Sequence, residues 1–512
     1  MKIQSWNVRG LGRPEKRRKI KKSLAGRKIS LVLIQETQSS TITPEVVKSI
    51  WYEDNFEFMA VDAEGRAGGL LCIWNPGVFQ LNSCCGNRNF ILLSGTLFSS
   101  FNCVIVNVYG PSEVAKRKEL WDNFARLKNT FLGPWCMGGD FNEIRTNSER
   151  IGCSRRDRGM REFNNMIDQL EMIDLPMLGR KFTWCNSQIR EKWSRIDRFL
   201  LNHEWLQNFN FKLWGLPRIL SDHCPIILME DERDWGPRPF SFLNAWALHP
   251  KFISLVEESW SESQVFGWAG YRCLKKLKAL KQKLKVWNIE VFGKIEFKIK
   301  AAEEEAHAIE LIAEERALLG NEQARRRELM GEVWRLNKML EWSWLQKSRM
   351  DWALKGDRNT RYFHIMACNR NSRNSLCSVM VNGVRVEEPM EVRHVVLTHF
   401  RNLFSETWVV RPHLDGQFKN IGGRHAVDML EAEFTEEEVR NAIKSCEGNK
   451  APGPDGFNLA FFKKCWGIVK AEVMLFFREF HQNATLVSGL NSSFLVLIPK
   501  VDNPSHLSEY GP

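Results

Sequence analysis

An α/β fold is predicted for residues 1–230. Short apolar runs of strand length recur from Ile3 to Met229, separated by turns and by amphipathic stretches. Glycine and proline sit mainly between these runs. Several runs end abruptly in a carboxylate or an amide, groups that a sheet gathers along one rim.

The first expected strand covers 3–8 and ends in Asn7-Val8. The second, 31–35, carries Leu31-Val32-Leu33-Ile34 into Gln35-Glu36. Strands are expected next at 70–74, 90–97 and 103–109, the last running through Val104-Ile105-Val106 to Asn107-Val108-Tyr109. Residues 115–131 have helical spacing. Then Trp135-Cys136-Met137-Gly138-Gly139 leads into Asp140-Phe141-Asn142, and strands at 194–200 and 224–229 close the domain.

The charged, proline-containing run from Asp231 to Pro239 marks a boundary and opens a linker expected over 231–269. Residues 270–347 lack proline, and Leu274, Leu277, Leu280, Leu284, Trp287 and Val291 recur at helical spacing. This predicts a long helical arm, broken near Gly293. Between Tyr271 and Lys300 stand ten basic and two acidic residues, so the arm either tracks a phosphate backbone or presents a solvated face. Residues 348–430 form an inter-domain region. From 431 a further unit begins: an acidic stretch, Asn449-Lys450-Ala451-Pro452-Gly453-Pro454-Asp455-Gly456, an aromatic-rich helix over 457–481 and an apolar strand from Phe494 to Lys500. Over 431–512 that unit is expected to be incomplete.

Lys and Arg number 73 against 61 Asp and Glu, a net charge of +12 that favours polyanionic partners. Met1 is followed by no signal-like apolar region, and the apolar runs fall short of a membrane span, so a soluble intracellular protein is expected. The 13 cysteines are odd in number and show no Cys-x-x-Cys spacing, which argues against a zinc site and a disulfide framework.

Hydrolysis of a phosphodiester needs a cation to offset phosphoryl charge, a group that activates water, and donors that hold the phosphate. Glu36 and Asp222 are hard oxygen ligands suited to Mg²⁺. Asp140 and Asn142, two apart after a strand, place a water-polarising carboxylate beside an amide. Ser221-Asp222-His223 sets an imidazole next to a ligand, and Asp197 is suited to fixing its tautomer. Each also has a bland reading, Glu36 as a surface carboxylate, His223 as a core histidine and Tyr109 as a sheet cap.

Five blocks then occur in one order: Ser5-Trp6-Asn7-Val8-Arg9-Gly10-Leu11, Ile34-Gln35-Glu36-Thr37, Asn107-Val108-Tyr109-Gly110-Pro111, Gly138-Gly139-Asp140-Phe141-Asn142, and Ser194-Arg195-Ile196-Asp197-Arg198 with Ser221-Asp222-His223. In this order the sequence resembles the endonuclease/exonuclease/phosphatase family, especially the apurinic-endonuclease-like domains of plant LINE-type non-LTR retrotransposons. The resemblance implies a four-layer α/β sandwich, two mixed sheets flanked by helices, with its active site at one rim. By the same likeness Asn7, Glu36 and Asp222 form the metal site, while Tyr109 and Asn142 contact the scissile phosphate. Asp140 activates water or protonates the leaving oxygen, and Asp197 pairs with His223. Arg9 stands where DNA-repair members carry an acidic residue, which turns the reading away from repair and towards a phosphate contact. Trp193 is the aromatic candidate for touching DNA, in preference to Phe182 and Trp184, which are expected to pack within the sandwich. The basic run from Lys16 to Lys22 is open between nuclear import, DNA contact and a solvated helix face.

Residues 352–364 resemble the region between endonuclease and polymerase in such elements, and His364 is read as structural. Residues 449–457 and 494–500 resemble the start of a reverse transcriptase, with Glu509-Tyr510-Gly511-Pro512 where that family continues into Arg-Pro-Ile-Ser. Palm carboxylates, including a paired Asp-Asp, are missing from the sequence, so no reverse transcription is expected of this chain. The expected activity is a Mg²⁺-dependent nick in DNA, with Mn²⁺ as a substitute metal. Expected partners are DNA and element RNA, not a membrane, and the expected location is the nucleus, with cytoplasm as the alternative. The competing readings are an inositol-phosphate phosphatase or other phosphodiesterase on the same scaffold, and an inactive nucleic-acid-binding remnant.

Overall fold

The computed structural model describes all residues except 66–67, 153–156, 238, 294, 350–362, 364–365, 368–369, 371–373, 375, 411–415, 417–421, 502–503, 505 and 512. The chain divides into two units. One comprises Met1–Trp235, His364–Leu403 and Leu497–Pro512, the other Gly236–Phe363 and Phe404–Val496. The segment 352–364 falls almost wholly outside the described residues, as does His364.

In chain order the first unit begins with β1 (Lys2–Asn7), α1 (Pro14–Arg27), β2 (Leu31–Gln35), α2 (Pro44–Lys48), β3 (Glu57–Val61), β4 (Leu70–Trp74), β5 (Phe79–Asn87), β6 (Phe90–Leu97) and β7 (Phe101–Tyr109). It continues with α3 (Val114–Thr130), β8 (Trp135–Asp140), β9 (Arg150–Ile151), α4 (Asp157–Gln169), β10 (Ile173–Asp174), β11 (Met177–Leu178), β12 (Trp184–Cys185) and β13 (Trp193–Ser194). Last come β14 (Asp197–Leu201), α5 (His203–Asn208), β15 (Phe211–Gly215) and β16 (Ile226–Glu230).

Two large mixed sheets result. One is seven-stranded in the order β11-β15-β16-β1-β2-β4-β3, the other six-stranded in the order β10-β14-β8-β7-β6-β5. The alternation of side chains along each strand sorts the residues between layers. Leu31 and Leu33 of β2 join Cys136 of β8 and Phe199 of β14 in the core between the sheets. Val32 and Ile34 face the other way, with Ile20 and Leu24 of α1 and Val47 of α2. Trp135 and Met137 of β8 pack with Trp121 and Phe124 of α3 and Phe163 of α4. Helices therefore cover the outer face of each sheet, giving the four layers expected. Central strands buried on both faces read as unbroken apolar runs, which is why the sequence displays them.

Gly138 and Gly139 are explained by close packing. A Cβ on Gly138 would lie 2.5 Å from the Phe199 ring, and one on Gly139 would lie 2.0 Å from the Val108 carbonyl oxygen. The strand that delivers Asp140 has no room for side chains at these two positions.

The short hairpin Val379–Val381 with Val384–Val386, the helix Pro389–Phe404 as far as Leu403, and the paired strands Ile498–Pro499 and Tyr510–Gly511 also belong to this unit. Arg233 ties the hairpin segment down by donating to the carbonyls of Cys377, at 3.1 Å, and Glu387, at 2.7 Å. The apolar strand expected over 494–500 is paired only at 498–499. Phe494, Leu495 and Val496 lie outside any strand and are exposed, because no neighbouring strand meets them among the described residues.

The second unit is helical, with Phe252–Glu262, Ala269–Trp287, Ile295–Glu315, Gly320–Ser348, Gly423–Glu431, Glu436–Ser445 and Leu459–Asn483. The long arm does break where expected: a π-turn over Asn288–Phe292 ends at Gly293, whose φ of +63° glycine adopts without a Cβ penalty. It also breaks again after Glu315. The stretch set out as a linker, 231–269, instead supplies core. Phe242, Trp246, Phe252, Val256 and Trp260 are buried with Leu277, Leu280 and Leu284, against Phe461 and Val469 of the last helix. Part of the basic face is also committed internally, since Lys276 pairs with Glu472 at 2.7 Å and Lys283 with Glu262. No helix among the described residues is long and apolar enough to cross a membrane.

Candidate active site

Strand ends from both sheets deliver polar side chains to one rim. Asn7 closes β1 beside Gln35 of β2, and Glu36 is the next residue, where the backbone turns with a φ of +52°. Tyr109 at the end of β7 lies beside Asp140 at the end of β8, and Asp140 lies opposite Asp197 at the start of β14. Asp222 and His223 arrive on the loop before β16, and His223 forms an isolated bridge with Trp184 of β12. Arg9 and Asn142, with φ of +46° and +52°, add two more side chains on left-handed backbone. Such conformations persist in non-glycine residues only where the surroundings hold them.

Hydrogen bonds connect these groups. The Asn7 side-chain amide donates to Glu36 Oε1 at 2.9 Å and to Asp140 Oδ2 at 3.0 Å. The Tyr109 hydroxyl donates to the same Glu36 oxygen at 3.1 Å. The Asn142 backbone N–H donates to Asp140 Oδ1 at 2.9 Å, and its side-chain amide donates to the Gly110 carbonyl at 2.7 Å. His223 Nδ1 lies 3.1 and 3.0 Å from the two oxygens of Asp197, while its Nε2 lies 3.7 Å from Asp140 Oδ2. Asp197 is itself held by its N–H, which donates to Thr183 Oγ1 at 3.0 Å.

Burial sets the protonation of this cluster. It disfavours a charged imidazole, yet the carboxylates of Asp197 and Asp140 overcome that cost and raise the His223 pKa to about 9. Burial raises Asp140, and the neighbouring charge of Asp197 adds to it, so that despite His223 its pKa is pushed up to about 7. Burial, followed by the charges of Glu36 and Asp140, pushes the Tyr109 phenol well above its ordinary value and keeps it a donor.

Two sets of acidic atoms are disposed to receive a cation. Asp140, Asp197 and His223 offer ligand atoms within 4.8 Å of one another. In that set, however, His223 Nδ1 is engaged by both oxygens of Asp197, and both oxygens of Asp140 already accept from Asn7 and from the Asn142 N–H. The pair Glu36 and Asp222 fits better. Glu36 Oε1 is occupied by Asn7 and Tyr109, and Asp222 Oδ2 accepts from the Trp184 indole N–H at 2.9 Å. The other two oxygens, Glu36 Oε2 and Asp222 Oδ1, the latter also accepting from the Ser221 hydroxyl at 3.2 Å, converge on Arg9 Nε at 3.9 and 3.0 Å. Two hard oxygens around one positive centre are the donor set a divalent cation such as Mg²⁺ takes.

Arg9, Glu36, Tyr109, Asp140, Asn142 and His223 line a cleft of about 420 Å³, with Arg150, Trp184 and Lys192 also on its walls. A second cavity of about 440 Å³ in the unit, lined by residues of β11 and β15 with Cys377, Arg385, His506 and Tyr510, contains none of the site residues named above. Of the residues singled out in the sequence, Arg9, Glu36, Tyr109, Asp140, Asn142 and His223 line the cleft, while Asn7, Asp197 and Asp222 contact members of that set from behind it. Trp193 does not line the cleft. Its ring lies beneath the Arg218 guanidinium at 5.1 Å, and Trp184, one strand away, takes the place by the carboxylates.

Sequence reading missed Arg117. Buried in the cleft wall, it donates to the carbonyls of Pro111 and Ser112, both at 2.8 Å, and to Glu143 at 2.8 Å, pinning the loop that follows Tyr109. The one signal was that its partner follows Asp140-Phe141-Asn142 directly.

Residues 5–223 match the model of the Endonuclease/Exonuclease/phosphatase family. The chain is 22% identical over 431 residues to the Transposon TX1 uncharacterized 149 kDa protein of Xenopus laevis, a match covering 77% of this chain and 31% of that protein. The chain therefore spans about a third of the length of that relative. Solved structures with similarity include the AP endonuclease LMAP from Leishmania major, 14% identical with a TM-score of 0.37 over 45% of this chain and 87% of that one. Another is the endonuclease domain of TRAS1, a telomere-specific non-LTR retrotransposon, 14% identical with a TM-score of 0.35 over 44% of this chain and 96% of that one.

Proposed function

We propose that the endonuclease/exonuclease/phosphatase domain formed by residues 5–223 is a divalent-metal-dependent endonuclease that nicks DNA during the movement of a transposable element. The observation that carries this reading is one connected constellation: Asp140 beside the Asp197–His223 pair, with the outward oxygens of Glu36 and Asp222 converging next to it.

Glu36 and Asp222 are the residues that would hold Mg²⁺ or Mn²⁺, which would offset charge on the phosphoryl and leaving oxygens. Asp140, with a pKa near neutrality, accepts the proton of the attacking water. The His223 imidazolium, oriented by Asp197, donates from Nε2 to a phosphate oxygen. Tyr109 and Asn7 hold Glu36 in place. The Asn142 amide, anchored on Gly110, has a second N–H for the phosphate.

A polynucleotide is favoured over a small phosphate ester by the basic side chains along the cleft, Arg9, Arg150 and Lys192, and by the net charge of +12. The transposable-element setting draws on the relative whose name carries it and on the reverse-transcriptase-like segments of the tail.

Supercoiled plasmid incubated with the purified chain and Mg²⁺ or Mn²⁺ tests the proposal. Relaxation is expected, and it should be abolished by Asp140→Ala and by His223→Ala. Plasmid that stays supercoiled with both metals, or is relaxed equally by the variants, would overturn it.

A further inference from the structure

The cationic group nearest the carboxylates assigned to the metal is supplied by the chain itself. Arg9 Nε lies 3.0 Å from Asp222 Oδ1 and 3.9 Å from Glu36 Oε2, the two oxygens that no other site residue claims except the Ser221 hydroxyl, which donates to Asp222 Oδ1 at 3.2 Å. The backbone beneath this guanidinium is stitched down. The Arg9 N–H donates to Asn7 Oδ1 at 3.2 Å, the Gly10 N–H to the Glu36 carbonyl at 2.7 Å, and Lys16 Nζ to the Arg9 carbonyl at 3.1 Å. The side chain, in contrast, is half exposed. A fixed backbone carrying a half-solvated guanidinium is built to change partners without the loop moving.

We propose that Arg9 is a tethered counter-ion of the metal site: its guanidinium bridges Glu36 and Asp222 in the metal-free protein and is displaced when a divalent cation binds. The proposal rests on the reading that these two carboxylates hold the metal. Without a cation the two acids would repel one another, and Arg9 offsets that repulsion. A divalent cation must then compete with a charge already in place, so the site binds metal more weakly than its carboxylates alone would. Once displaced, the guanidinium is left at the mouth of the cleft, where the next anion is the substrate phosphate.

Calorimetric titration of the full chain with Mn²⁺ reads this directly. Arg9→Asn suits the backbone, since asparagine tolerates the φ of +46° at this position, and Arg9→Gln is a second neutral variant. Both are expected to bind Mn²⁺ about 5-fold more tightly than wild type at low ionic strength, the scale of one half-exposed ion pair. The gain should shrink as salt is added, and Arg9→Lys, which keeps the charge, should stay close to wild type. Without metal, Arg9→Asn should melt below wild type and gain more from saturating Mn²⁺. Neutral variants that bind Mn²⁺ no more tightly than wild type would overturn the proposal. Glu36→Gln separates the two layers: undiminished Mn²⁺ binding in that variant overturns the metal assignment, whereas its loss, together with unchanged affinity in Arg9→Asn, overturns the role of Arg9 alone.

Discussion

His223 and Asp197 form a buried ion pair in which the imidazole Nδ1 lies 3.0 Å from one carboxylate oxygen and 3.1 Å from the other. Asp197 thereby fixes which ring nitrogen faces the cleft and offsets the cost of burying the charge. Asp197→Asn keeps the shape and removes the charge. The imidazole pKa should then fall, because burial no longer meets an opposing carboxylate, and nicking should drop about 100-fold or more. Imidazole proton shifts followed against pH read the first effect, and single-turnover plasmid nicking reads the second. The pair also bears on stability. With a folded pKa of about 9, above the unfolded value of 6.5, His223 contributes stability that is fully present below pH 6.5 and is lost as pH rises through 9. The stability gap between wild type and Asp197→Asn should narrow over that same range.

The proposed division of labour requires Asp140 without its proton and His223 with one. Asp140 loses its proton near pH 7 and His223 near pH 9, so kcat/KM should rise through the first value and fall through the second. The limbs belong to the coupled cluster rather than to either residue alone. A rate that climbs steadily past pH 9 would remove the imidazolium from the mechanism.

What was legible in the sequence divides along physical lines. β2, β4 and β8 were legible because both faces of each are covered, so every position is apolar until the rim is reached. β5 was not foreseen. It is an edge strand with much of its surface in solvent, and Gln80, Asn82 and Ser83 give it the look of a loop. At the site, residues at strand ends could be found because the apolar run points to them. Arg117 and Trp184 could not, since a buried arginine and a surface arginine are the same letter, and which of Trp184 and Trp193 meets Asp222 is decided by the pairing of β12 with β13. The stretch 231–269 misled because its opening charges and prolines hide the core residues Phe242, Trp246 and Phe252 that follow.

Tyr109 is bonded to Glu36 rather than directed at open space, so its first effect should be on the metal. Tyr109→Phe removes one of two donors from Glu36 Oε1 and should weaken apparent Mg²⁺ affinity about 10-fold. Thermal stability should change by less than about 1 kcal/mol, since one partly buried hydrogen bond is lost. Titrating nicking against Mg²⁺ separates the roles. Full recovery at saturating metal places Tyr109 behind Glu36 only, and a residual fall in kcat adds a contact with the phosphate.

The strand that carries Asp197 starts inside a buried charge network, and this predicts where acid should unfold the protein. Arg198 bonds Asp174 at 2.6 Å and also Glu149, while Arg195 reaches Asp174 at 3.0 Å and Glu149 at 3.3 Å. Burial raises the Glu149 pKa, but the two guanidinium groups outweigh it and lower the value to about 2. A carboxylate with a depressed folded pKa contributes stability that is present above its unfolded value, 4.5, and is lost as pH falls through 2. Glu149→Gln leaves two buried arginines to share Asp174 and should cost about 3 kcal/mol at neutral pH in urea unfolding. The difference from wild type should shrink as pH is lowered from 4.5 towards 2, because the wild-type carboxylate is then neutralised as well. A loss below about 1 kcal/mol at neutral pH would mean that the network does not hold this strand in place. Nicking by Glu149→Gln should also fall if the network positions Asp197, which lies in sequence between the two arginines.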